Sequence, residues 1–399
     1  MTRSRGRRPR ASRLLHAPEG QSVTFVELFF DLVFVSAVTQ VTTVTAEHLD
    51  LQGVLRGLLV FWLIWWAWTQ FTWTLNPADT QHVVVQVVTL LATVAAFTMG
   101  VSVSLAFGDE ALWFAIPYVI VRMLGLGLQV RIALESRVEG GASPSHVTSW
   151  AGLSSLGLIV VLVGATVDPP ARGWIWILAI ALDVVAAGVG SRSDQPWDLT
   201  AAHLAERHGL FVILALGESL IVAGSAAVDQ TRSLDFVALA GAGLAVVGLL
   251  WWSYFAWFKD DLEEAFAAAE PADRGAVARD AYSLAHFPLV GGIVGFAIAA
   301  ELMVTHPADP VEARTVAALG IGLILFMGAT VLSFWRVHRR VLVPRLAITL
   351  ATAAGLALFV DARPVWPIMM AATGLGVVGL IEGDRLPGLE HRAEPAGDT

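Results

Sequence analysis

The chain has 399 residues, of which 56% are hydrophobic and only 15% charged, with a mean hydropathy of +0.67 and a formal net charge of −9. A soluble domain carries about 25% charged residues, so this composition excludes an ordinary soluble fold and points to a membrane protein. The acidic balance offers no basic face to nucleic acid. With no cysteine in the chain, disulfides, thiolate metal sites and cysteine nucleophiles are excluded as well.

Residues 1–20 form a basic tail with Arg3, Arg5, Arg7, Arg8, Arg10 and Arg13, expected to be disordered and cytoplasmic. The segment that follows is too long and too acidic for a cleaved signal peptide. Twelve apolar blocks of about 20 residues, the length that crosses ~30 Å of hydrocarbon, then run at 24–46, 52–74, 83–107, 111–133, 148–167, 172–190, 200–227, 235–258, 277–304, 315–335, 341–360 and 364–381. The predicted fold is all-α: a polytopic membrane protein of about twelve transmembrane helices with both termini in the cytoplasm. The Arg and Lys residues between blocks fall mainly on the side of the N-terminus, as the positive-inside rule requires.

The blocks divide into a first six-helix half over 21–190 and a second half over 191–258 and 277–382, interrupted by an acidic connector at 259–276. A polar tail closes the chain at 383–399. Phe30-Asp31-Leu32-Val33-Phe34-Val35 can be laid on Gly217-Glu218-Ser219-Leu220-Ile221-Val222, and Trp65-Trp66-Ala67-Trp68 on Trp251-Trp252-Ser253-Tyr254. Six spans per half make this a parallel repeat. The connector, Lys259-Asp260-Asp261-Leu262-Glu263-Glu264 onward, reads as a short cytoplasmic helix acting as a solvated linker.

Ionisable residues inside spans are costly and mark working sites by default. Glu27 and Asp31, four apart, share one face of the first span. Glu27 also suits the helix N-terminus, with Thr24 as cap. In the seventh span His203, Arg207 and Glu218 share a face while His208 points away. His203, Glu206, Arg207 and His208 stand at the cytoplasmic mouth, and Glu218 falls near mid-membrane, where Gly217 would let another backbone approach. The His203-x-x-Glu206 spacing is a weak metal signal, and no metal or cofactor is expected. Asp183, His286 and Glu301 lie in other spans, and Pro288 can free carbonyls at the start of the ninth. Arg122, read as the lone deep base, is expected to pair with Asp31 or Glu218. The tryptophans of the second and eighth spans are read as packing, with Trp73 and Trp257 in interfacial belts.

At Glu27-Leu28-Phe29-Phe30-Asp31-Leu32-Val33-Phe34-Val35, His203-Leu204-Ala205-Glu206-Arg207-His208-Gly209-Leu210-Phe211, Leu216-Gly217-Glu218-Ser219 and His286-Phe287-Pro288-Leu289-Val290, the chain resembles the bacterial low-temperature-requirement A family. That resemblance implies a multi-pass bacterial inner-membrane protein, associated by name with growth in the cold and without a settled activity. Phe30-Asp31-Leu32-Val33-Phe34 with Ala37 and Thr39 is also similar to the Phe-Ser-Asp first-helix signature of a potassium-channel family built from six-helix repeats. Here Phe30 replaces the serine and the second half lacks the motif.

More buried acid than base implies a mobile proton or cation. The expected activity is proton-linked transport of a small solute, with Asp31 and Glu218 titrating and Arg122 as counter-charge. A cation channel and a membrane-embedded sensor or metal-dependent enzyme are the alternatives. No Ser-His-Asp arrangement or phosphate-binding glycine loop suggests an enzyme. The expected partners are the bilayer and a small solute, proton or cation.

Overall fold

Each apolar block becomes a helix, because in hydrocarbon every backbone N–H and C=O must be satisfied within its own segment. The computed structural model describes residues 15–17, 20–138, 145–190, 199–228, 231 and 233–383. Its helices are α1 (Phe25–Glu47), α2 (Leu51–Leu75), α3 (Val83–Val101), α4 (Leu112–Val138), α5 (Ser145–Ala165), α6 (Pro169–Gly190), α7 (Ala201–Ala226), α8 (Leu234–Phe255), α9 (Phe258–Ala267), α10 (Pro271–Val277), α11 (His286–Thr305), α12 (Ala313–His338), α13 (Val343–Leu356) and α14 (Val365–Gly383). Among the described residues 11 helical segments are long and apolar enough to cross a membrane. The twelfth block, α13 with the 3-10 turn Ala357–Phe359, is a shorter apolar helix. The protein is thus an all-helical, multi-pass membrane protein. Large apolar side chains such as Leu91, Val94 and Phe97 of α3 point outward, as a lipid-facing surface requires.

The order of helix neighbours recurs between the halves. In the first, α1 packs on α2 and α3, α3 on α4, α4 on α5, α5 on α6, and α6 returns to α2. In the second, α7 packs on α8 and α11, α11 on α12, α12 on α13, α13 on α14, and α14 returns to α8. The halves meet where α1 touches α7 and α11. We call the membrane side at the start of α1 the near side and the other the far side.

Close approach of α11 and α12 depends on glycine. A Cβ on Gly292 would lie 2.5 Å from the backbone nitrogen of Phe326, and one on Gly295 or Gly322 would lie 3.0 or 2.9 Å from backbone. Gly217, expected to serve such a contact, has nothing within 4 Å. The acidic connector is helical but is not a free linker. Phe258, Leu262 and Phe266 of α9 recur every four residues and are buried, and α9 packs on α7 and α12. His338 of α12 meets Asp261 at 2.7 Å.

Of the tail expected to be disordered, residues 15–17 and 20 are described. His16 pairs with Ala78 in the one isolated bridge of the described residues, and Leu15 is buried with its carbonyl accepting from Asp79 N at 2.7 Å. The remainder of that tail, apart from Gly20, and the tail at 383–399, apart from Gly383, lie outside the described residues, as do Arg192 and Arg232.

Candidate functional site

At the near side α1, α2 and α7 enclose a charged cluster with no solvent exposure. Glu27 enters it from the first turn of α1, where one oxygen caps the helix: Oε2 accepts from Thr24 N and Thr24 Oγ1, both at 2.9 Å. The other oxygen, Oε1, accepts from Arg207 Nη1 at 3.1 Å and lies 3.0 Å from His203 Nε2. Glu27 therefore caps the helix with one oxygen and joins the buried cluster with the other. One turn on, Asp31 takes a bidentate grip from Arg207, whose Nε donates to Oδ2 at 3.2 Å and whose Nη2 donates to Oδ1. Trp68 Nε1 of α2 also donates to Asp31 Oδ1, at 2.7 Å, and the Arg207 guanidinium lies over the Trp68 ring.

Glu27, Asp31, His203 and Arg207 are each at most 1% exposed. The spacings match across the helix pair: Glu27 faces His203 and Asp31 faces Arg207, both 176 residues apart in sequence. An i, i+4 pair of acids on α1 thus meets an i, i+4 pair of bases on α7, each pair a single face of its helix. This register overturns the alignment of Asp31 with Glu218. The residue level with Asp31 is Arg207, and Glu218 lies eleven residues farther along α7, about 16 Å deeper.

His203 is held by the joint between the halves. Asn76, just after α2, donates from Nδ2 to Thr200 O at 3.1 Å and accepts from Thr200 N at 2.7 Å. That pairing fixes which end of the amide is which, so Nδ2 is the group 3.4 Å from His203 Nδ1. His203 Nδ1 is then placed as the acceptor, and Nε2 faces Glu27 Oε1 at 3.0 Å without the alignment of a hydrogen bond. Glu206 turns elsewhere, with Oε2 accepting from Val23 N at 3.2 Å. The His203/Glu206 pair therefore does not converge on a metal position, and among the described residues no group of three or more such ligands does.

Beside this cluster lies a second, of aromatic and histidine rings. His208 Nδ1 donates to Leu204 O at 2.9 Å, which leaves Nε2 as a bare acceptor, buried and without a partner. Its ring meets Trp68, Tyr282 and His286 with centroids 5.0 to 5.1 Å away. His286 donates from Nδ1 to Ala281 O at 3.1 Å, so Nε2 accepts from Tyr254 Oη at 2.9 Å. The start of α11 explains this geometry. Residues Ala278–Leu284 form a π-helix, a form that recurs at functional sites, and Pro288 carries no N–H. Carbonyls are freed, as expected, but protein groups satisfy them rather than a ligand. Ala281 O accepts from Ser333 Oγ as well as His286, and Ser283 O accepts from Trp65 Nε1 at 2.7 Å.

Farther along α7, Glu218 lines a cavity of about 20 Å³ with Val35, Thr39, Thr42, Ser219 and Val290, space for one water molecule. No hydrogen bond or ion pair reaches its carboxylate among the described residues. Glu301, near the far end of α11, has a buried Oε2 without a partner.

Arg122 pairs with neither Asp31 nor Glu218. Its Nη1 and Nη2 donate to Asp183 at 2.9 and 2.8 Å, Nη1 also reaches Tyr118 Oη, and Nε reaches Gln70. This closed pair joins α4 to α6. Arg122 is also not alone in depth, because Arg207 and Arg345 are buried too. Arg345 Nε donates to Glu382 Oε1 at 2.8 Å, and Trp257 Nε1 to Glu382 Oε2 at 3.1 Å. Trp73 and Trp257 are buried rather than belt-forming, and Trp73 Nε1 donates to Ser283 Oγ. Sequence reasoning missed Trp68, Asn76, Tyr254, Tyr282 and the Arg345–Glu382 pair. A mid-span Tyr or a post-helix Asn is a common residue, and Arg345 and Glu382 sit at block ends where charge is ordinary. Pro77 after Asn76 was the one local cue to a constrained helix end.

The family model of the bacterial low temperature requirement A protein (LtrA) matches residues 22–379. The uncharacterized protein RA0937 of Rhizobium meliloti (strain 1021) is 28% identical over 331 residues, covering 80% of this chain and 78% of its own length. No solved structure matches. With its acid and base faces interlocked across α1 and α7 and the family match running over both, the chain belongs to the bacterial low temperature requirement A (LtrA) family.

Proposed function

We propose that the protein is a proton-linked transporter of a small solute, resident in the cell membrane with its N-terminus in the cytoplasm, and that α1, α7 and α11 form its working interface. One observation carries this reading: the sealed near-side cluster holds two carboxylates, Glu27 and Asp31, against one permanent cation, Arg207. A fully buried group of that composition keeps one uncompensated negative charge unless a proton joins it.

The position of that proton bears on movement of the halves. Protonated His203 would present an Nδ1–H to the Nδ2 of Asn76, donor against donor, so the Asn76–Thr200 pair would have to open. That pair joins the end of α2 to the start of α7, one half to the other. Proton binding is thereby linked to rocking of the halves. Glu218, unpaired in its water-sized cavity, is the second titrating group, and apolar Val35, Ala215 and Val290 line the cavity beside it. Asp183 and Arg122 neutralise each other and take no part.

The test is solute exchange in proteoliposomes with a pH-sensitive dye inside. Asp31→Asn leaves a neutral Glu27–Arg207 pair with no call for an extra proton, and Glu218→Gln removes the second group. Both variants should fold, insert and lose solute-driven proton movement. Wild-type rates in both would overturn the proposal, and unitary ohmic currents would assign the same residues to a channel.

A further inference from the structure

Behind α2, on the side away from Asp31, a separate cavity of about 40 Å³ is walled by Trp66, Trp73 and Trp150 and also lined by Thr69, Gln70 and Arg279. We propose that it binds a small monovalent anion of the halide type. This inference does not rest on the transport reading.

Gln70 is the anchor. Its Oε1 accepts from Arg122 Nε, and Arg122 is clamped by Asp183 and Tyr118, so the amide cannot turn over. Nε2 therefore carries its two N–H groups on the opposite side, where it is buried and has no acceptor. The adjacent Thr69 hydroxyl is likewise buried without a partner. It forgoes the bond to the carbonyl four residues back that Thr42, Thr74 and Thr89 each make. Gln70 and Thr69 are 4% and 3% exposed, so water from the bulk does not satisfy them.

The lining selects the charge of the occupant. Amide N–H and hydroxyl groups are donors, the Arg279 guanidinium in the wall is shared with Asp280 at 2.7 Å, and no acidic side chain lines the cavity among the described residues. A cation would find no counter-charge. A water molecule could accept from Gln70 but would have only the Thr69 and Ser283 hydroxyl oxygens for its own hydrogens, whereas an anion uses only donors. The volume excludes an organic ligand, which needs about 300 Å³ or more, and suits one or two water-sized particles. Gln70 bound to a guanidinium is also a polarised amide, whose N–H groups donate more strongly.

The tryptophan walls supply the assay. Full-length protein in nanodiscs is titrated with sodium iodide against sodium gluconate at constant ionic strength, and tryptophan emission is followed. Tryptophans outside the cavity that iodide reaches contribute linear collisional quenching; an occupied cavity adds a saturable component that chloride displaces. Gln70→Glu keeps an oxygen for Arg122 and puts another where the amide nitrogen was, so the half-saturating iodide concentration should rise at least about tenfold, the loss expected for a hydrogen bond to a charged partner. Thr69→Val, the same shape without the hydroxyl, should weaken binding several-fold. Linear quenching in wild type, or a saturable component unmoved by either substitution, overturns the proposal. So does a bromide-soaked crystal with no anomalous peak beside Gln70 Nε2, which would make the occupant water. If Gln70→Glu fails to fold, wild-type saturation and Thr69→Val decide.

Discussion

Replacing Arg207 with Met tests whether the near-side cluster is held by charge compensation. Arg207 makes three hydrogen bonds to two carboxylates that have no access to water. A hydrogen bond to a charged group contributes roughly 1.5–3 kcal/mol, but the carboxylates keep other donors, Thr24 for Glu27 and Trp68 for Asp31. The expected net loss is therefore about 3–5 kcal/mol, the range for a buried charge stripped of its partner. The penalty arises because two ionised acids are left facing each other, so it should shrink on acidification. The variant's folded state takes up protons that wild type does not need, and its stability gap to wild type should be widest near pH 8 and narrower near pH 5. Unfolding of wild type, Arg207→Met, Asp31→Asn and the double variant in mixed micelles at the two pH values measures this directly. In the double variant a single acid remains, and the loss should fall short of the sum of the singles by about 1–3 kcal/mol. A cost below about 1 kcal/mol for Arg207→Met, or a cost that does not change with pH, would refute the charge argument.

Two further outcomes separate scaffold from site. Arg122→Met alone should destabilise by about 3–5 kcal/mol, whereas Arg122→Met with Asp183→Leu should recover most of that and retain transport, because a closed buried pair can be exchanged for apolar residues; dead transport in a stable double variant would return Arg122 to the mechanism. Gly292→Ala should lower stability by about 1–3 kcal/mol through overpacking against α12, since the added methyl would meet backbone atoms at 2.5 and 2.6 Å. Gly376→Ala, with open space around it, should be neutral in the same thermal unfolding assay, and equal effects at both positions would show that helix propensity rather than contact is being read.

Span positions, the shared face of Glu27 and Asp31, and the divergence of His208 from His203 were legible in the sequence, because they depend on helix length, hydropathy and a rotation of 100° per residue. All are local quantities. The partners of those residues were not legible. Arg207, read as a residue of the mouth, is the cation that Asp31 needed, and Arg122 is claimed by Asp183; which base meets which acid depends on which helices adjoin and at what depth. Charge at block ends looks interfacial in a hydropathy trace, so Arg345 and Glu382 stayed hidden until α13 and α14 were seen side by side. The π-helical run before His286 and the Asn76–Thr200 joint belong to tertiary structure for the same reason: apolar helices pack alike in many registers, and only their mutual approach decides which buried polar groups are satisfied and which remain open to a proton or an ion.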